Sequence, residues 1–322
     1  MFEQFILSLV IISHLSNSSQ ASAFLQSKEF FLVPTIIETS SAQQPVSEKL
    51  EWHLQKKIRT KALPPKKISN DTNPHIFSRT ALVLDADTKE ILWQKNPQIV
   101  QPIASITKLL NALVWLDHQG SDNSYTLTSK DDTPDGKDMN LPVGTQLSIN
   151  DILHAALIAS YNDAANALAH SSSLSDEEYL QAMNRKAQAI GMQNGQFVDF
   201  HGLSWQDTAS AQDVALLAQS AFNQPEILSA VTTPVYAIAA LNSDLKLHAY
   251  TTDQLIFDKD FDIIGGKTGY TEEAGYCLTV KAKEPKSNRT IIGVILGADT
   301  DEARFTEMKK LLNWTFQNYT WN

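Results

Sequence analysis

The stretch PIASITKLLNALVWLD, from Pro102 to Asp117, carries the strongest local pattern in the chain. It is an apolar run that predicts a helix from about residue 105 to 119, ended by Gly120. Ser105 stands at the start of this helix. Lys108 follows three residues later and places an ammonium where the pattern asks for an apolar side chain. Residues at i and i+3 lie on one face of a helix, so the hydroxyl and the amine are expected side by side.

This pairing meets several demands of nucleophilic catalysis. A serine hydroxyl is a weak nucleophile until a neighbouring base removes its proton. A lysine amine can act as that base once burial or a second cation has lowered its pKa. The N-terminus of the helix adds backbone N–H groups suited to a developing oxyanion. The ordinary alternative is a helix start whose lysine extends to solvent.

The S-x-x-K pattern alone has little specificity, because the chain contains it twice. The second match, Ser243 to Lys246, lies in a polar stretch without a following apolar helix, and we interpret it as coincidence. The tripeptide Ser121-Asp122-Asn123 comes directly after Gly120, and we interpret it as a turn.

Two further segments supply groups that fit the same chemistry. Ser160-Tyr161-Asn162 ends the apolar pattern DILHAALIA, and its hydroxyl and amide can face one cleft if the chain turns there. Lys267-Thr268-Gly269 closes the apolar run FDIIGG, where an edge strand can pair with an extended peptide. Gly269 leaves room for such an approach, and Lys267 and Thr268 can bind a carboxylate. The alternatives are a helix cap and a glycine-rich turn.

The remaining patterns predict an α+β domain. A β-hairpin is expected from TALVLDAD and EILWQKN, and SINDILHAALIASYNDAANALA predicts a helix with Ser148 as its N-cap. Helices are also expected near 176–191, 211–222 and 301–317. Strand patterns recur near 233–240 and in FDIIGGK, GYCLTVKA and RTIIGVILGA. The sheet is therefore assembled from N- and C-terminal pieces, with helices between them.

Composition narrows the classes of function. The formal net charge of −10 argues against nucleic acid as a partner. The single cysteine, Cys277, excludes an intrachain disulfide and a cysteine zinc site, and we interpret it as a small buried side chain. The eight histidines include no HxxxH pair, so we expect neither metal nor organic cofactor. We interpret His201 in FHGLS as structural rather than catalytic.

The N-terminal residues predict export. Residues 5–15 are apolar and precede Ala21-Ser22-Ala23, which resembles a signal-peptidase site, although the first residues lack Lys and Arg. We expect residues 1–23 to be a signal peptide or an N-terminal membrane anchor. Residues 24–77 are rich in Pro, Gln and Lys and predict a linker, with the catalytic domain at 78–322.

The order S-x-x-K, S-x-N, K-T-G resembles penicillin-binding proteins and serine β-lactamases. The chain is most similar to the low-molecular-mass D-alanyl-D-alanine carboxypeptidases over residues 78–319. Further similar blocks are PIASITKL, LIASYNDAANALA, YLQAMNRKAQAIGM, FVDFHGLS, GGKTGYTEEAGYCL and EARFTEMKKLLNW. The resemblance implies an antiparallel sheet of about five strands flanked by helices, a helical lobe, and a site between them.

The resemblance also implies roles for individual residues. Ser105 is the expected acylated nucleophile, Lys108 its base, and Ser160 a proton-transfer group. The backbone N–H groups of Ser105 and Tyr270 form the expected oxyanion hole, and Arg304 is expected near the terminal carboxylate of the substrate. The remaining expected substrate-binding residues are Asn162, Lys267, Thr268 and Gly269. The implied partners are a peptidoglycan stem peptide and β-lactams as covalent inhibitors; the oligomeric state stays open.

Two other enzymatic activities and one non-catalytic function are alternatives to the preferred D,D-carboxypeptidase. A D,D-endopeptidase that cuts crosslinks uses the same residues. A class A β-lactamase uses a loop glutamate for deacylation, but residues 180–225 contain no glutamate. A catalytically idle wall-binding module disagrees with the intact motif set and with Lys108 inside an apolar helix.

Overall fold

A five-stranded antiparallel sheet lies at the centre of the computed structural model, which describes residues 63–71, 73–133 and 135–321. Its strands run in the order β10-β11-β12-β2-β3. The predicted α+β class is confirmed. The strand bounds are β1 Lys66–Lys67, β2 Thr80–Asp85, β3 Ile91–Lys95, β4 Gln101–Pro102, β5 Ser124–Thr126, β6 Gln146–Ser148, β7 Thr208–Ala209, β8 Val235–Ala239, β9 Lys246–Tyr250, β10 Asp262–Thr271, β11 Gly275–Lys283, β12 Thr290–Ala298 and β13 Tyr319–Thr320.

The two ends of the domain meet in this sheet. Strand β12 pairs with β2 in a register that runs from Ile291 opposite Asp85 to Leu296 opposite Thr80. All residues of β2 are buried, which explains its continuous apolar pattern, whereas in β3, at the edge, only Leu92 is buried. The predicted hairpin of β2 and β3 and the assembly of the sheet from distant segments are both present.

Helices cover both faces of the sheet. Because side chains alternate along a strand, Leu82 and Leu84 pack into the larger core with most of the helices. Ala81 and Val83 pack into a second core with the last helix. Within the described residues the helices are α1 Thr107–Asp117, α2 Ile149–Ile158, α3 Asn162–His170, α4 Asp176–Ala189, α5 Ala211–Ala221, α6 Pro225–Val231 and α7 Asp301–Asn318.

Two helices differ in detail from the sequence expectation. The predicted helix at 105–119 begins with a 3-10 turn, Ala104–Ile106, and its α-helical part ends at Asp117, before Gly120. The continuous helix expected after Ser148 is broken at Ser160, whose φ of 62° lies in the left-handed region. This break separates α2 from α3. Ser148 is the N-cap, since its hydroxyl accepts a 3.0 Å hydrogen bond from the Asp151 N–H.

The strand expected near 233–240 forms β8, which pairs with β9 in a separate hairpin and not with the central sheet. Strand β1, within the predicted linker, pairs with β13 at the C-terminal end of the described chain. The expected leader, residues 1–23, and the linker as far as residue 62 lie outside the described residues. In the described part of the chain, no helix has the length and apolar character to cross a bilayer.

Candidate active site

Ser105 stands on the 3-10 turn that joins β4 to α1. Ile103 anchors this turn in the core, and Ala104 adopts a φ of 49°, a conformation that costs energy for a residue with a side chain. Lys108 follows in the first turn of α1, with its side chain 1% exposed. Its Nζ lies 2.9 Å from Ser105 Oγ. The turn therefore leaves Ser105 partly accessible while the amine beside it is buried.

Lys108 Nζ has three hydrogen-bond partners. They are Ser105 Oγ, Asn162 Oδ1 at 2.6 Å and the His201 carbonyl oxygen at 2.8 Å. The last two oxygens only accept, so a neutral amine that donates to both has its lone pair left for the Ser105 hydroxyl. The network thus fixes the direction in which a proton can pass.

Burial lowers the pKa of Lys108 to about 7. The carboxylates of Asp199 and Asp138 oppose this effect, since negative charge stabilises the ammonium. A pKa near 7 leaves a substantial neutral fraction at neutral pH, as a general base requires.

The S-x-N segment lies at the break between α2 and α3. The left-handed Ser160 turns the chain, and Asn162 becomes the first residue of α3. The Asn162 N–H donates to the Lys137 carbonyl at 2.8 Å, which fastens the segment to the loop at 135–140. A Cβ at Gly136 would lie 2.1 Å from Asn162 Nδ2. This glycine therefore permits the close contact between the loop and Asn162.

Strand β10 forms the other wall, at an edge of the central sheet. Lys267 is 1% exposed and donates to Ser160 Oγ at 2.8 Å and to the Thr268 carbonyl at 3.0 Å. Burial holds the pKa of Lys267 well below its usual range, and the charges of Lys108 and Arg304 lower it further. The Thr268 hydroxyl lies 2.5 Å from that of Thr252.

Gly269 sets the distance between β10 and the serine turn. A Cβ on Gly269 would lie 2.8 Å from the Ile103 carbonyl oxygen and 3.1 Å from the Ser105 nitrogen. The next residue, Tyr270, is 49% exposed, and its ring stacks on Tyr276 at a centroid distance of 4.2 Å. The free edge of β10 thus lies directly beside the Ser105 N–H, where the expected oxyanion hole requires it.

Arg304 lies in the first turn of α7, buried against β10 and β11. Its Nη1 donates to the Gly269 carbonyl at 3.1 Å and to the Cys277 carbonyl at 3.3 Å, and its Nη2 pairs with Asp301. These contacts tie Arg304 to the backbone of the K-T-G strand, a role that the sequence did not predict. Cys277 itself is a buried free thiol.

The structure brings together the three motif segments. The S-D-N at Ser121 and the second S-x-x-K match, Ser243 to Lys246, lie outside this site. Ser121 lies in an exposed bend, and Ser243 and Lys246 are both exposed. Sequence reasoning missed the His201 carbonyl as a partner of Lys108, because a backbone oxygen has no signature in the side-chain pattern. Among the described residues, no group of His, Cys, Asp and Glu side chains is arranged to hold a metal ion.

The profile of the S11 peptidase family, described as D-alanyl-D-alanine carboxypeptidase, matches residues 67–300. The chain belongs to this family. The predicted relationship is confirmed, and the chain is a hydrolase of the D-alanyl-D-alanine peptidase class.

Family relatives include both exopeptidases and endopeptidases. The chain is 33% identical to the D-alanyl-D-alanine endopeptidase of Pseudomonas aeruginosa, covering 79% of this chain and 82% of that protein. It is 32% identical to the D-alanyl-D-alanine carboxypeptidase DacF of Bacillus subtilis, covering 75% of this chain and 63% of that protein.

Two solved structures share the fold. The Streptomyces K15 DD-transpeptidase superposes with a TM-score of 0.71 at 24% identity, over 77% of this chain and 100% of that one. Penicillin-binding protein D2 of Listeria monocytogenes, in a cefotaxime-bound form, superposes with a TM-score of 0.67 at 27% identity, over 76% of this chain and 100% of that one. The central five-stranded sheet with its helical lobe is therefore the fold of penicillin-binding D,D-peptidases.

Proposed function

We propose that this chain is a penicillin-sensitive serine D,D-carboxypeptidase that removes the terminal D-alanine from peptidoglycan stem peptides. The observation that carries the proposal is the 2.9 Å contact between Ser105 Oγ and Lys108 Nζ, with a Lys108 pKa of about 7. A buried amine of this pKa supplies the base that a serine nucleophile needs.

The reaction proceeds through an ester on Ser105. Neutral Lys108 takes the hydroxyl proton as Oγ attacks the carbonyl carbon between the last two D-alanines. The backbone N–H groups of Ser105 and Tyr270 stabilise the resulting oxyanion. The C–N bond then breaks as the Ser160 hydroxyl gives its proton to the leaving amine. The proton that Lys108 took from Ser105 passes to the Ser160 oxygen, so that both groups return to their neutral forms, and Lys267 lies 2.8 Å from that oxygen to stabilise it during the transfer.

Release of D-alanine leaves the acyl group on Ser105. A water molecule attacks the ester carbonyl as neutral Lys108 takes its proton. The C–Oγ bond then breaks, and Lys108, 2.9 Å from Oγ, returns that proton to Ser105 as the shortened peptide departs. β-Lactams open on the same serine. Because their ring amine stays tethered to the acyl group, the ester persists and the enzyme is inhibited.

Cleavage of crosslinks is the second candidate. It is favoured by the relatives of Pseudomonas aeruginosa and Escherichia coli, which are named D-alanyl-D-alanine endopeptidases and are 33% and 30% identical to this chain. Both reactions break a bond to the D-alanine carbonyl and use the same serine, so the substrate decides between them.

The proposal includes a location and a domain organisation. Residues 1–23 are a signal peptide or membrane anchor, residues 24–77 a linker and 78–322 the catalytic domain. The enzyme then acts at the periplasmic or outer face of the cell membrane, where peptidoglycan is accessible.

One experiment tests the assignment and separates the two activities. The full chain is incubated with a fluorescent penicillin, a pentapeptide ending in D-Ala-D-Ala and a crosslinked peptide dimer, and the products are identified by mass spectrometry. We expect the label on Ser105 and loss of one D-alanine from the pentapeptide; cleavage of the dimer alone would replace the carboxypeptidase by the endopeptidase. Retention of activity by a folded Ser105→Ala variant would refute both.

A further inference from the structure

Lys137 lies beside the candidate active site, on the loop at 135–140. Its carbonyl accepts the Asn162 N–H at 2.8 Å. The same loop is held by a 2.8 Å hydrogen bond from the Met139 N–H to Asp163 Oδ2 and a 3.1 Å bond from the Asp163 N–H to Asp138 Oδ1. These contacts fix the backbone of Lys137, which is hydrogen-bonded to Asn162, and Asn162 in turn accepts a hydrogen bond from Lys108.

The ammonium of Lys137 pairs with no acidic group among the described residues, although its loop is rich in aspartate. Nζ lies over the ring of Tyr161, 5.0 Å from its centroid. Asp138, the adjacent residue, instead accepts hydrogen bonds from the Thr133 hydroxyl and the Asp163 N–H. Partial burial lowers the pKa of Lys137. The cation is therefore held in place by an aromatic ring and has unused hydrogen-bond donors.

Lys137 adds to a concentration of positive charge. Lys108, Lys267 and Arg304 are all buried close by, and the charge of Lys137 contributes to the lowered pKa of Lys267. The chain as a whole has a formal net charge of −10. Lys137 and Arg304 carry positive charge there, beside two buried amines whose pKa values are lowered. Positive charge in one cleft of an acidic protein attracts and orients a ligand with more than one negative group.

We propose that Lys137 binds a side-chain carboxylate of the substrate peptide, located upstream of the D-alanine pair, and so selects stem peptides that are acidic there. This inference rests on the proposed function. The groups proposed for the terminal carboxylate, Lys267, Thr268 and Arg304, belong to the β10 wall. Lys137 belongs to the opposite wall, beside the S-x-N segment, so the carboxylate that it binds must come from another part of the ligand.

The test separates binding from turnover. Two peptides ending in D-Ala-D-Ala are compared, one with a side-chain carboxylate at the residue before the D-alanine pair and one with the amide there. Their dissociation constants are measured by calorimetry on the full chain carrying Ser105→Ala, with and without Lys137→Gln. Lys137→Arg tests rescue by a second cation, and Lys130→Gln is the matched control, because Lys130 is an exposed lysine of the preceding segment.

We expect Ser105→Ala to bind the acidic peptide about three- to tenfold more tightly than the amide, as for a partly exposed charge-assisted pair. Lys137→Gln should remove this preference, and Lys137→Arg and Lys130→Gln should keep it. Equal binding of the two peptides, or a preference that survives Lys137→Gln, overturns the inference. Hydrolysis of the peptides by the wild-type chain is followed separately and tests only the proposed function.

Discussion

Lys267 donates a 2.8 Å hydrogen bond to Ser160 across 107 positions of sequence, and this contact joins strand β10 to the break between α2 and α3. Ser160 can receive it because its backbone is left-handed, with a φ of 62°. A continuous helix would carry the side chain elsewhere. The position of β10 relative to the break between α2 and α3 therefore depends on a left-handed backbone conformation. That conformation costs a residue with a Cβ roughly 1–2 kcal/mol.

Substitutions at Ser160 should distinguish the contribution of its hydroxyl to catalysis from the contribution of its left-handed backbone to stability. Ser160→Gly and Ser160→Ala both remove the proton donor, so penicillin acylation should fall about 100-fold or more in each. Glycine adopts a positive φ without the steric cost, so Ser160→Gly should be about 1 kcal/mol more stable than Ser160→Ala in urea unfolding. Equal stability of the two variants would show that the left-handed turn is not strained, and normal acylation would remove Ser160 from the mechanism.

The rate of acylation should rise with pH through about 7. In the proposed mechanism Lys108 acts as the neutral amine, and its pKa is about 7 because burial disfavours the ammonium. The neutral fraction is about one-tenth at pH 6 and about nine-tenths at pH 8, so the rate constant should rise about tenfold between them. Stopped-flow absorbance with a chromogenic β-lactam measures it; a flat profile over this range would contradict Lys108 as the base.

Asp138→Asn tests whether Lys108 is the group whose titration sets the pH dependence of acylation. The carboxylate of Asp138 raises the pKa of Lys108 against the effect of burial. The asparagine keeps an oxygen to accept the Asp163 N–H, which Asp138 Oδ1 now accepts at 3.1 Å. Removal of the charge should therefore shift the midpoint of the profile to lower pH, and a shift to higher pH would show that another group titrates.

The sequence predicts well those parts of the fold and site that rest on side-chain pattern. The hairpin of β2 and β3, the cap at Ser148 and the strand runs of β10 to β12 follow from strand-forming runs and capping, which are local. The relation of Ser105 to Lys108 is also local, because both lie within one helical turn.

Backbone contacts between residues that are far apart in the sequence leave no pattern of side chains from which they could be predicted. The His201 carbonyl is 93 positions from Lys108, and its bond to the amine depends on the path of a loop. The φ of Ser160 is equally hidden: the apolar pattern ends there, but an ordinary helix cap would end it in the same way, and neither predicts a left-handed backbone. Arg304 was expected beside the substrate by resemblance, yet its hydrogen bonds to the carbonyls of Gly269 and Cys277 arise from packing of α7 on the sheet.

Gly269→Ala should separate the two walls that meet at Ser105. The added methyl group would lie 2.8 Å from the Ile103 oxygen and 3.1 Å from the Ser105 nitrogen, and both obstacles are backbone atoms. We expect a loss of about 1–3 kcal/mol in stability, and acylation about 100-fold slower because the oxyanion donors move apart.

Gly195→Ala is the control for this substitution. Its added methyl group would first meet the Met192 Cε atom at 3.0 Å, the flexible end of a side chain. Acylation should be unchanged in this variant. If Gly269→Ala acylated Ser105 as fast as Gly195→Ala does, the close approach of β10 would have no part in catalysis.

Arg304→Gln decides whether the guanidinium binds substrate or supports the strand. Arg304 is buried and donates to the Gly269 and Cys277 carbonyls, so its loss should disturb β10 for every substrate. A direct bond to the terminal carboxylate would add a further loss of about 10- to 100-fold in kcat/KM that appears with a free C-terminus and not with its amide. Measuring kcat/KM for a peptide acid and its amide, with Arg304→Lys as the conservative variant, separates the two effects. An equal loss for acid and amide would assign Arg304 to the support of the K-T-G strand alone, since only the acid can lose an ionic partner.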